Sequence, residues 1–211
     1  MDSQMKQLTI EEFVGQLCSN APVPGGGGAS SMVGALSAAL CSMVAELTTG
    51  KKKYAEYQAD IDRILPQAVE ISKSMMDLMS EDAKAFEPLS KAYSIPKDDP
   101  NRDEILENAL VVAAKAPLQI VMECEKVAGL LEELYVKGSR LALSDVGVAA
   151  SFLSAAVKGA AMNVYINTKL MKNREVAASM NEQTDRIVES VSVRADKVTK
   201  DVIDSLKGIK V

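Results

Sequence analysis

Four consecutive glycines stand where a loop runs into an apolar segment, in the stretch PGGGGASS at residues 24–31. A helix that begins here would present unpaired backbone N–H groups and a positive dipole end, which favour an anion or a polarised carbonyl. The stretch is not a P-loop, because GKS or GKT is absent and no strand is predicted before it. Glycines also let a helix approach its neighbours closely. Both interpretations stay open for Gly25, Gly26, Gly27 and Gly28.

A second polar pair, Ser144 and Asp145, precedes an alanine-rich segment. Both residue types are natural helix N-caps, and capping alone accounts for at least one of them. A carboxylate in front of a mostly apolar helix can also be desolvated, which raises its pKa toward that of a working general acid or base. Asp145 is therefore a candidate proton shuttle.

Two asparagines, Asn163 and Asn167, lie four residues apart on one face of the same alanine-rich helix. Buried amides must be hydrogen-bonded, so they either pair with each other and the backbone or line a polar pocket. Asparagine is a poor residue for a helix interior, and this favours the pocket. Asp82 is a weaker candidate, because periodicity alone places it on a solvated face. We predict a pocket between helices, with glycine backbone on one wall and an Asp–Asn set on the other.

The composition narrows the chemistry that such a pocket can perform. The 211 residues include no histidine, which excludes the common zinc and iron sites and the Ser-His and Cys-His nucleophile pairs. Proton transfer then falls to Asp, Glu, Lys, Tyr or Cys, and we predict no metal site. The net charge of −5 argues against a nucleic-acid-binding protein, since such proteins gain affinity by neutralising phosphates with Lys and Arg.

The elements that must position these residues are predicted to be helices throughout. Hydrophobic residues make up 47% of the chain but aromatic residues only 4%, which suits close helix packing better than a sheet. Residues 29–49 form a predicted helix without a polar face, which should therefore be central. Other helical patterns start with a capping box at Thr9–Glu12 and continue over residues 54–93, 100–137 with Asp99 as N-cap, 144–171 and 173–206. We predict an all-α, single-domain bundle of five to six long helices with a largely buried central helix, spanning residues 1–211.

Three motifs, in order along the chain, carry a family resemblance. They are APVPGGGGASSMVGALSAALCSMVAELTTGKKKY, EDAKAF and LSDVGVAASFLSAAVKGAAMNVYINTKL. With them the chain resembles, over essentially its whole length, the formiminotransferase-cyclodeaminase C-terminal domain family, which includes free-standing methenyltetrahydrofolate cyclohydrolases. The resemblance implies an all-helical homodimer that acts on folate-bound one-carbon units, with no cofactor beyond tetrahydrofolate as the one-carbon carrier.

Two reactions follow from this resemblance. A cyclohydrolase adds water to the cationic carbon that bridges N5 and N10 of 5,10-methenyltetrahydrofolate and opens the ring to 10-formyltetrahydrofolate. A cyclodeaminase lets N10 attack a 5-formimino carbon and expels ammonia. The formiminotransferase half of the bifunctional members is not in this sequence, which favours the cyclohydrolase. A folate-binding helical module without catalysis, or a purely structural bundle, stays open as a further interpretation.

The resemblance also implies roles for the candidate residues. Asp145 and Asp82 would shuttle protons, stabilise the cationic carbon or grip the pterin edge, and the sequence does not divide these roles between them. The asparagines would orient the pterin or the water, and the glycine loop would offer flat backbone to a planar ring. Lysines of the GKKxY-like stretch would meet the glutamate tail, although at least one is more simply a solvated residue. The substrate-binding set is Gly25, Gly26, Gly27, Gly28, Ser144, Asn163, Asn167, Lys51, Lys52 and Lys53.

Location and partners follow from less specific features. Three cysteines, Cys18, Cys41 and Cys124, stand in apolar helical contexts and are predicted to be buried in a reducing compartment. No basic leader is present, and an uncharged apolar run of about 18 residues occurs only after the glycines. We predict a cytoplasmic protein that takes a folate substrate, including polyglutamylated forms, and has neither nucleic-acid nor membrane partners.

Overall fold

Six α-helices make up most of the computed structural model, which describes residues 5–209. No strand occurs within this range. The helices are α1 (Ile10–Leu17), α2 (Gly26–Glu46), α3 (Gln58–Tyr93), α4 (Arg102–Lys137), α5 (Leu143–Thr168) and α6 (Arg174–Leu206). The predicted all-α bundle of long helices is confirmed.

The helix after the glycines begins earlier than predicted. α2 starts at Gly26 rather than Ala29, so three glycines form its first turn and Gly25 is its N-cap. All four glycines have negative φ, since positive φ occurs only at Gly50 and Gly208 among the described glycines. At Gly26 and Gly27 the fold therefore uses the missing side chain, rather than a left-handed backbone. Glycine has a low intrinsic helix propensity, which is why the sequence placed this boundary too late.

Two other predicted N-caps are wrong, and one is confirmed. The capping box of Thr9 and Glu12 at the start of α1 is present. The N-cap of α4 is Asn101, whose backbone N–H donates to the Asp99 carboxylate at 2.8 Å. α5 begins at Leu143, so Ser144 and Asp145 lie inside its first turn rather than capping it. Asp145 there still benefits from the positive end of the helix dipole.

Helices α2 and α5 pack side by side in opposite directions. The Ser37 hydroxyl of α2 donates to the Ala149 carbonyl of α5 at 2.8 Å. Nearer the start of α2, a Cβ added to Gly159 would lie 3.4 Å from the Cβ of Ser30. α3 and α4 pack on α2, and α4 and α6 pack on α5. As a result, the glycine-rich start of α2 is level with the end of α5.

Within residues 5–209, three helical segments are long and apolar enough to cross a membrane, by length and composition alone, whereas the sequence suggested one. They are Gly26–Glu46, Arg102–Lys137 and Arg140–Thr168, with mean hydropathy of 1.5, 1.5 and 1.4. The most apolar 18-residue stretch of each segment is partly buried in the bundle, to 56%, 44% and 56% respectively. Their apolar character therefore builds the core, and a remainder stays on the surface.

The cysteines do not all lie in the core. Cys41 and Cys124 are buried as predicted, and burial raises the pKa of the Cys41 thiol to about 12. Cys18 is exposed, contrary to the prediction, because α1 buries only Phe13 and leaves its C-cap at the surface.

Candidate functional site

A small cavity of about 140 Å³ lies between the start of α2, the middle of α3 and the last turns of α5. It brings together both walls of the predicted pocket, namely the glycine backbone and an Asp–Asn set. The residues that line it are Pro22, Val23, Gly25, Gly26, Gly27, Asp82, Phe86, Ala113, Pro117, Asn163, Ile166 and Asn167.

The Asp82 side chain reaches across from α3 to the first turn of α2. Its carboxylate accepts a hydrogen bond from the backbone N–H of Gly28. A Cβ added to Gly27 would lie 2.6 Å from the Asp82 Cγ, a distance that real Cβ atoms do not show. Gly27 is therefore needed for the carboxylate to reach the helix end, where an anion is favoured by the free N–H groups and the dipole.

Burial sets the protonation of Asp82. Desolvation raises the pKa of Asp82 to about 6, against the opposing effect of the Gly28 hydrogen bond. A carboxyl group with a pKa close to the operating pH can both accept and return a proton, which is the property that a general acid–base catalyst needs. Asp82 was predicted to be the weaker of the two candidate aspartates, and the structure places it in the pocket.

The two asparagines line the opposite wall of the pocket from α5. The Asn163 side-chain amide donates to the Gly159 carbonyl at 2.8 Å, and that of Asn167 donates to the Asn163 carbonyl at 2.8 Å. Each side chain is thereby fixed through one N–H of its amide, and each also carries a carbonyl oxygen and a second N–H. A Cβ at Gly26 would lie 3.2 Å from the Asn163 Nδ2, so glycine lets α2 come this close.

Apolar side chains complete the pocket, and sequence reasoning did not single them out. Phe86 lies one helical turn after Asp82 on α3, and Ile166 lies directly before Asn167 on α5. The spacing of Phe86 from Asp82 was a usable signal, since residues four apart share a helix face. Pro117 and Ala113 are contributed by α4, which no local pattern connects to the pocket.

A second cavity of about 620 Å³ adjoins the first one. The two cavities share Pro22, Val23 and Phe86, so a long ligand in the small pocket can continue past the Phe86 ring. Lys84 and Lys91 also line the larger cavity, and Lys91 pairs with Glu87 at 2.6 Å.

The remaining predicted site residues lie at the other end of the bundle. α2 has 21 residues and is about 30 Å long, so Lys51, Lys52 and Lys53 beyond its last turn are far from the glycines. On α5, Asp145 and Asn163 are about 27 Å apart along the axis. Ser144, Asp145 and the lysines are therefore not part of the pocket of the same chain.

This other end is built around Tyr54. Its hydroxyl accepts the backbone N–H of Arg140 at 2.9 Å, which lowers the pKa of Tyr54. The Lys53 ammonium lies 5.6 Å from the centre of the Tyr54 ring, and the Lys51 ammonium donates to the Ser139 hydroxyl at 3.2 Å. We call Lys51, Lys52, Lys53 and Tyr54, with Arg140, Ser144 and Asp145, the basic end.

A cleft of about 490 Å³ between α3 and α4 is a poorer candidate than the small pocket. Charged side chains that line it pair with one another, Arg63 with Glu133 at 2.6 Å and Lys126 with Glu123 at 2.9 Å. Among residues 5–209, no group of three or more His, Cys, Asp or Glu side chains is placed to hold a metal ion.

A largely buried carboxylate with a raised pKa, opposite two fixed amides, is an arrangement that acid–base enzymes use. The chain is a member of the formiminotransferase-cyclodeaminase family, whose model matches residues 9–186.

Individual relatives agree with this membership. The chain is 35% identical over 204 residues to the methenyltetrahydrofolate cyclohydrolase of Methylorubrum extorquens, covering 95% of this chain and 96% of the relative. It is 30% identical over 213 residues to the formimidoyltransferase-cyclodeaminase of Mus musculus, and spans 39% of the length of that longer relative. The crystal structure of the formiminotetrahydrofolate cyclodeaminase of Thermotoga maritima matches with a TM-score of 0.83 at 30% identity, covering 94% of this chain and 99% of that one.

Proposed function

We propose that this protein is a methenyltetrahydrofolate cyclohydrolase, which hydrates 5,10-methenyltetrahydrofolate to 10-formyltetrahydrofolate. The observation that carries the proposal is the Asp82 carboxylate, which is largely desolvated beside the glycine turn and lies opposite Asn163 and Asn167. The similarity to the Methylorubrum extorquens cyclohydrolase, which extends over nearly the full length of both chains, supports it further.

The fused ring system of the substrate occupies the small pocket. Pockets that hold a whole drug-sized ligand usually measure about 300–1,000 Å³, so a cavity of 140 Å³ takes only the ring end of a folate. The amide groups of Asn163 and Asn167 hydrogen-bond the ring or the attacking water, and the backbone at Gly25, where a Cβ would meet nothing within 4 Å, lies against the ring. The benzoyl-glutamate part leaves the pocket past Phe86.

Asp82 performs the proton transfers. As deprotonated carboxylate it stabilises the cationic bridge carbon and takes a proton from the water whose oxygen attacks that carbon. The carbon–N5 bond of the tetrahedral adduct then breaks, with its electron pair and a proton going to N5. The product keeps a formyl group on N10, and the net reaction consumes one water and releases one proton.

A formiminotetrahydrofolate cyclodeaminase is the second candidate, favoured by the close structural match to the Thermotoga maritima enzyme. The same pocket would then hold 5-formiminotetrahydrofolate. Asp82 would take the N10 proton as N10 attacks the formimino carbon, and would protonate the leaving ammonia.

The setting of the enzyme is part of the same proposal. It works in the cytoplasm as a homodimer, on mono- and polyglutamylated folates, without a nucleic-acid or membrane partner and without a cofactor other than its folate substrate. The roles given above to the glycines, the asparagines and Asp82 belong to this proposal as well.

A paired assay tests the proposal. The purified protein is given 5,10-methenyltetrahydrofolate, whose absorbance should disappear faster than in an enzyme-free blank, and 5-formiminotetrahydrofolate, from which ammonia is measured. Accelerated methenyl loss without ammonia release is the expected result. Ammonia release with methenyl formation would replace the cyclohydrolase by the cyclodeaminase, and silence in both assays would leave a folate-binding module.

A further inference from the structure

The larger cavity next to the small pocket has no part in the acid–base chemistry described above. Its volume of about 620 Å³ lies within the range of about 300–1,000 Å³ that is usual for ligand sites, whereas the 140 Å³ of the small pocket lies below it. Pro22, Val23 and Phe86 line both cavities, and we call these three residues the neck. A ligand that fills both cavities must pass through the neck.

The two sides of the neck are held by different apolar clusters. Val23 packs against a cluster that includes Met5 and Ala83, which are 4% and 6% exposed and also line the larger cavity. Phe86 packs against a separate cluster that includes Leu89. The neck is therefore a slot between the Pro22–Val23 loop and the Phe86 ring, with apolar packing behind each side. Such a slot suits a flat aromatic group, which can stack on Phe86 or meet its edge.

The chemistry of the lining changes in a fixed order around α3. Counted at 3.6 residues per turn, Phe86 is turned about 40° and Ser90 about 80° from Asp82 around the helix axis. Lys91 is turned about 180° from Asp82 and lies at the far side of the larger cavity. A ligand that starts at Asp82 and curls around α3 therefore meets a carboxylate, an aromatic ring, a hydroxyl group and an ammonium group in turn.

The far side of the larger cavity is charged and exposed. Among the described residues that line the cavity, Lys84 and Lys91 are cationic and Glu87 is anionic. The Lys91 ammonium lies 2.6 Å from the Glu87 carboxylate, and these side chains are 74% and 67% exposed. An exposed ion pair of this kind contributes little free energy, so Lys91 can exchange Glu87 for a ligand carboxylate at small cost. The same carboxylate would be repelled by Glu87.

We propose that the larger cavity binds the aminobenzoyl-glutamate part of a folate, with the benzoyl ring in the neck against Phe86 and a glutamate carboxylate on Lys91. The ring system, the benzoyl ring and the carboxylates follow one another in the substrate as Asp82, Phe86 and Lys91 do around α3. Additional glutamates continue into solvent, because Lys91 is exposed. The identity of the ligand rests on the proposed function, whereas the sequence of an aromatic slot and a cation does not.

Binding of an unreactive ligand tests the role of the charges. 5-Methyltetrahydrofolate is compared, by isothermal titration calorimetry, with its diamide, in which both glutamate carboxylates are neutral. The wild-type protein should bind the diacid about two- to fivefold more tightly than the diamide, as expected for an exposed charge pair. Lys91→Gln should remove this preference, and Glu87→Gln should increase it. Neither substitution should change the affinity for the diamide.

The matched control is Lys197→Gln on α6. Lys197 also pairs with an acid four residues away, at 3.1 Å from Asp201, and its side chain is likewise 74% exposed. This variant loses the same net charge and should bind both ligands as the wild type does. A preference for the diacid that survives Lys91→Gln, equal effects of Lys91→Gln and Lys197→Gln, or the absence of any preference would overturn the proposal.

Protection from alkylation tests where the ligand lies. In a Cys18→Ser background, which removes the exposed native thiol, Ser90→Cys places a thiol in the lining of the larger cavity. Saturating 5-methyltetrahydrofolate should slow its reaction with iodoacetamide at least fivefold. Ser205→Cys, at the exposed end of α6, should react at the same rate with and without the ligand. An unprotected thiol in Ser90→Cys would overturn the assignment.

These measurements separate the cavity assignment from the proposed function. If the wild-type protein turns over no folate, but 5-methyltetrahydrofolate protects Ser90→Cys and its binding responds to Lys91→Gln, the proposed function fails and the cavity assignment stands. If methenyl hydrolysis is present while protection and the charge response are both absent, the function stands and the cavity assignment fails. Absence of both turnover and binding would overturn the two proposals together.

Discussion

Helices α2 and α5 each extend between the glycine end of the bundle, where the pocket lies, and the basic end. The two ends differ in how far their charged side chains are exposed to solvent. At the glycine end, one carboxylate is buried against a helix N-terminus, and its pKa is raised to about 6 by desolvation. At the basic end, Lys52 and Lys53 are exposed, and the Lys53 ammonium lies over the Tyr54 ring. The electrostatic interactions of a buried charge are strong because the local dielectric constant is low, whereas those of an exposed charge are weakened by solvent. We therefore expect the chemistry at the first end and only weak electrostatic effects from the second.

Replacing Asp82 is the most severe way to test this difference. We expect Asp82→Asn to lower kcat by about 100- to 10,000-fold, the usual contribution of a positioned acid–base group, while the protein stays folded because asparagine also caps helices. Steady-state kinetics of methenyl hydrolysis, corrected for the uncatalysed rate, measures this. The neighbouring Glu81→Gln is the matched control, since Glu81 is exposed, and equal losses in both variants would contradict the role of Asp82.

Removing the space for the carboxylate should have the next largest effect. We expect Gly27→Ala to displace Asp82 from the first turn of α2, with a loss of turnover of at least tenfold and a loss of about 1–3 kcal/mol of unfolding free energy from overpacking. Urea unfolding and kinetics measure both. Gly15→Ala is the control, because a Cβ there meets nothing within 4 Å. Unchanged turnover in Gly27→Ala would show that the contact has no functional weight.

The pH dependence of stability should also distinguish the buried carboxylate. Because the pKa of Asp82 is raised from 3.8 to about 6 in the folded protein, its stabilising contribution is fully present below pH 3.8 and is lost as the pH rises through 6. The stability of Asp82→Asn relative to wild type should therefore increase between pH 4 and 7, by on the order of 3 kcal/mol. Urea midpoints across this range measure it, and parallel curves for the two proteins would refute the raised pKa.

The smallest effect is expected at the basic end. The double substitution of Lys52 and Lys53 by alanine should change KM for a monoglutamate by less than about twofold, since exposed charges contribute about 0–1 kcal/mol each and these two lie about 30 Å from the pocket of the same chain. The effect should grow with the number of glutamates and leave kcat nearly unchanged. Lys91→Ala, in the cavity next to the pocket, is the comparison. A larger KM change in that variant would place the glutamate tail there instead.

Much of the fold could be predicted from the sequence because apolar periodicity and the paucity of aromatic residues both indicate packed helices. The errors fall where a local rule was overridden by packing. Gly26 and Gly27 are poor helix formers, yet they start α2 because glycine leaves room for Asn163 and Asp82. Asp82 was predicted to face solvent, but it stands seven residues after the buried Met75 and three after the buried Met79, on the side of α3 that faces the core.

The candidate site could be predicted only in part, for a geometric reason. Residue types and motifs identified the glycines, Asp82, Asn163 and Asn167, and the structure brings all of these except Gly28 together as the lining of one pocket. The sequence grouped Asp145 and the lysines with them, because a linear motif does not show that two helices of about 30 Å separate its ends. The distance became visible only once α2 and α5 had a direction relative to each other.

The contact between Gly27 and Asp82 makes substitutions at two positions interdependent, although these positions are 55 residues apart in the sequence. A side chain at position 27 fits only when residue 82 lacks its carboxylate, and the Asp82 carboxylate keeps its place only when residue 27 is glycine. Lineages that lose one of the two have no selective reason to keep the other, so the pair should change together or not at all. Under the proposed function, we therefore expect members of the family to carry Gly27 and Asp82 together or to lack both.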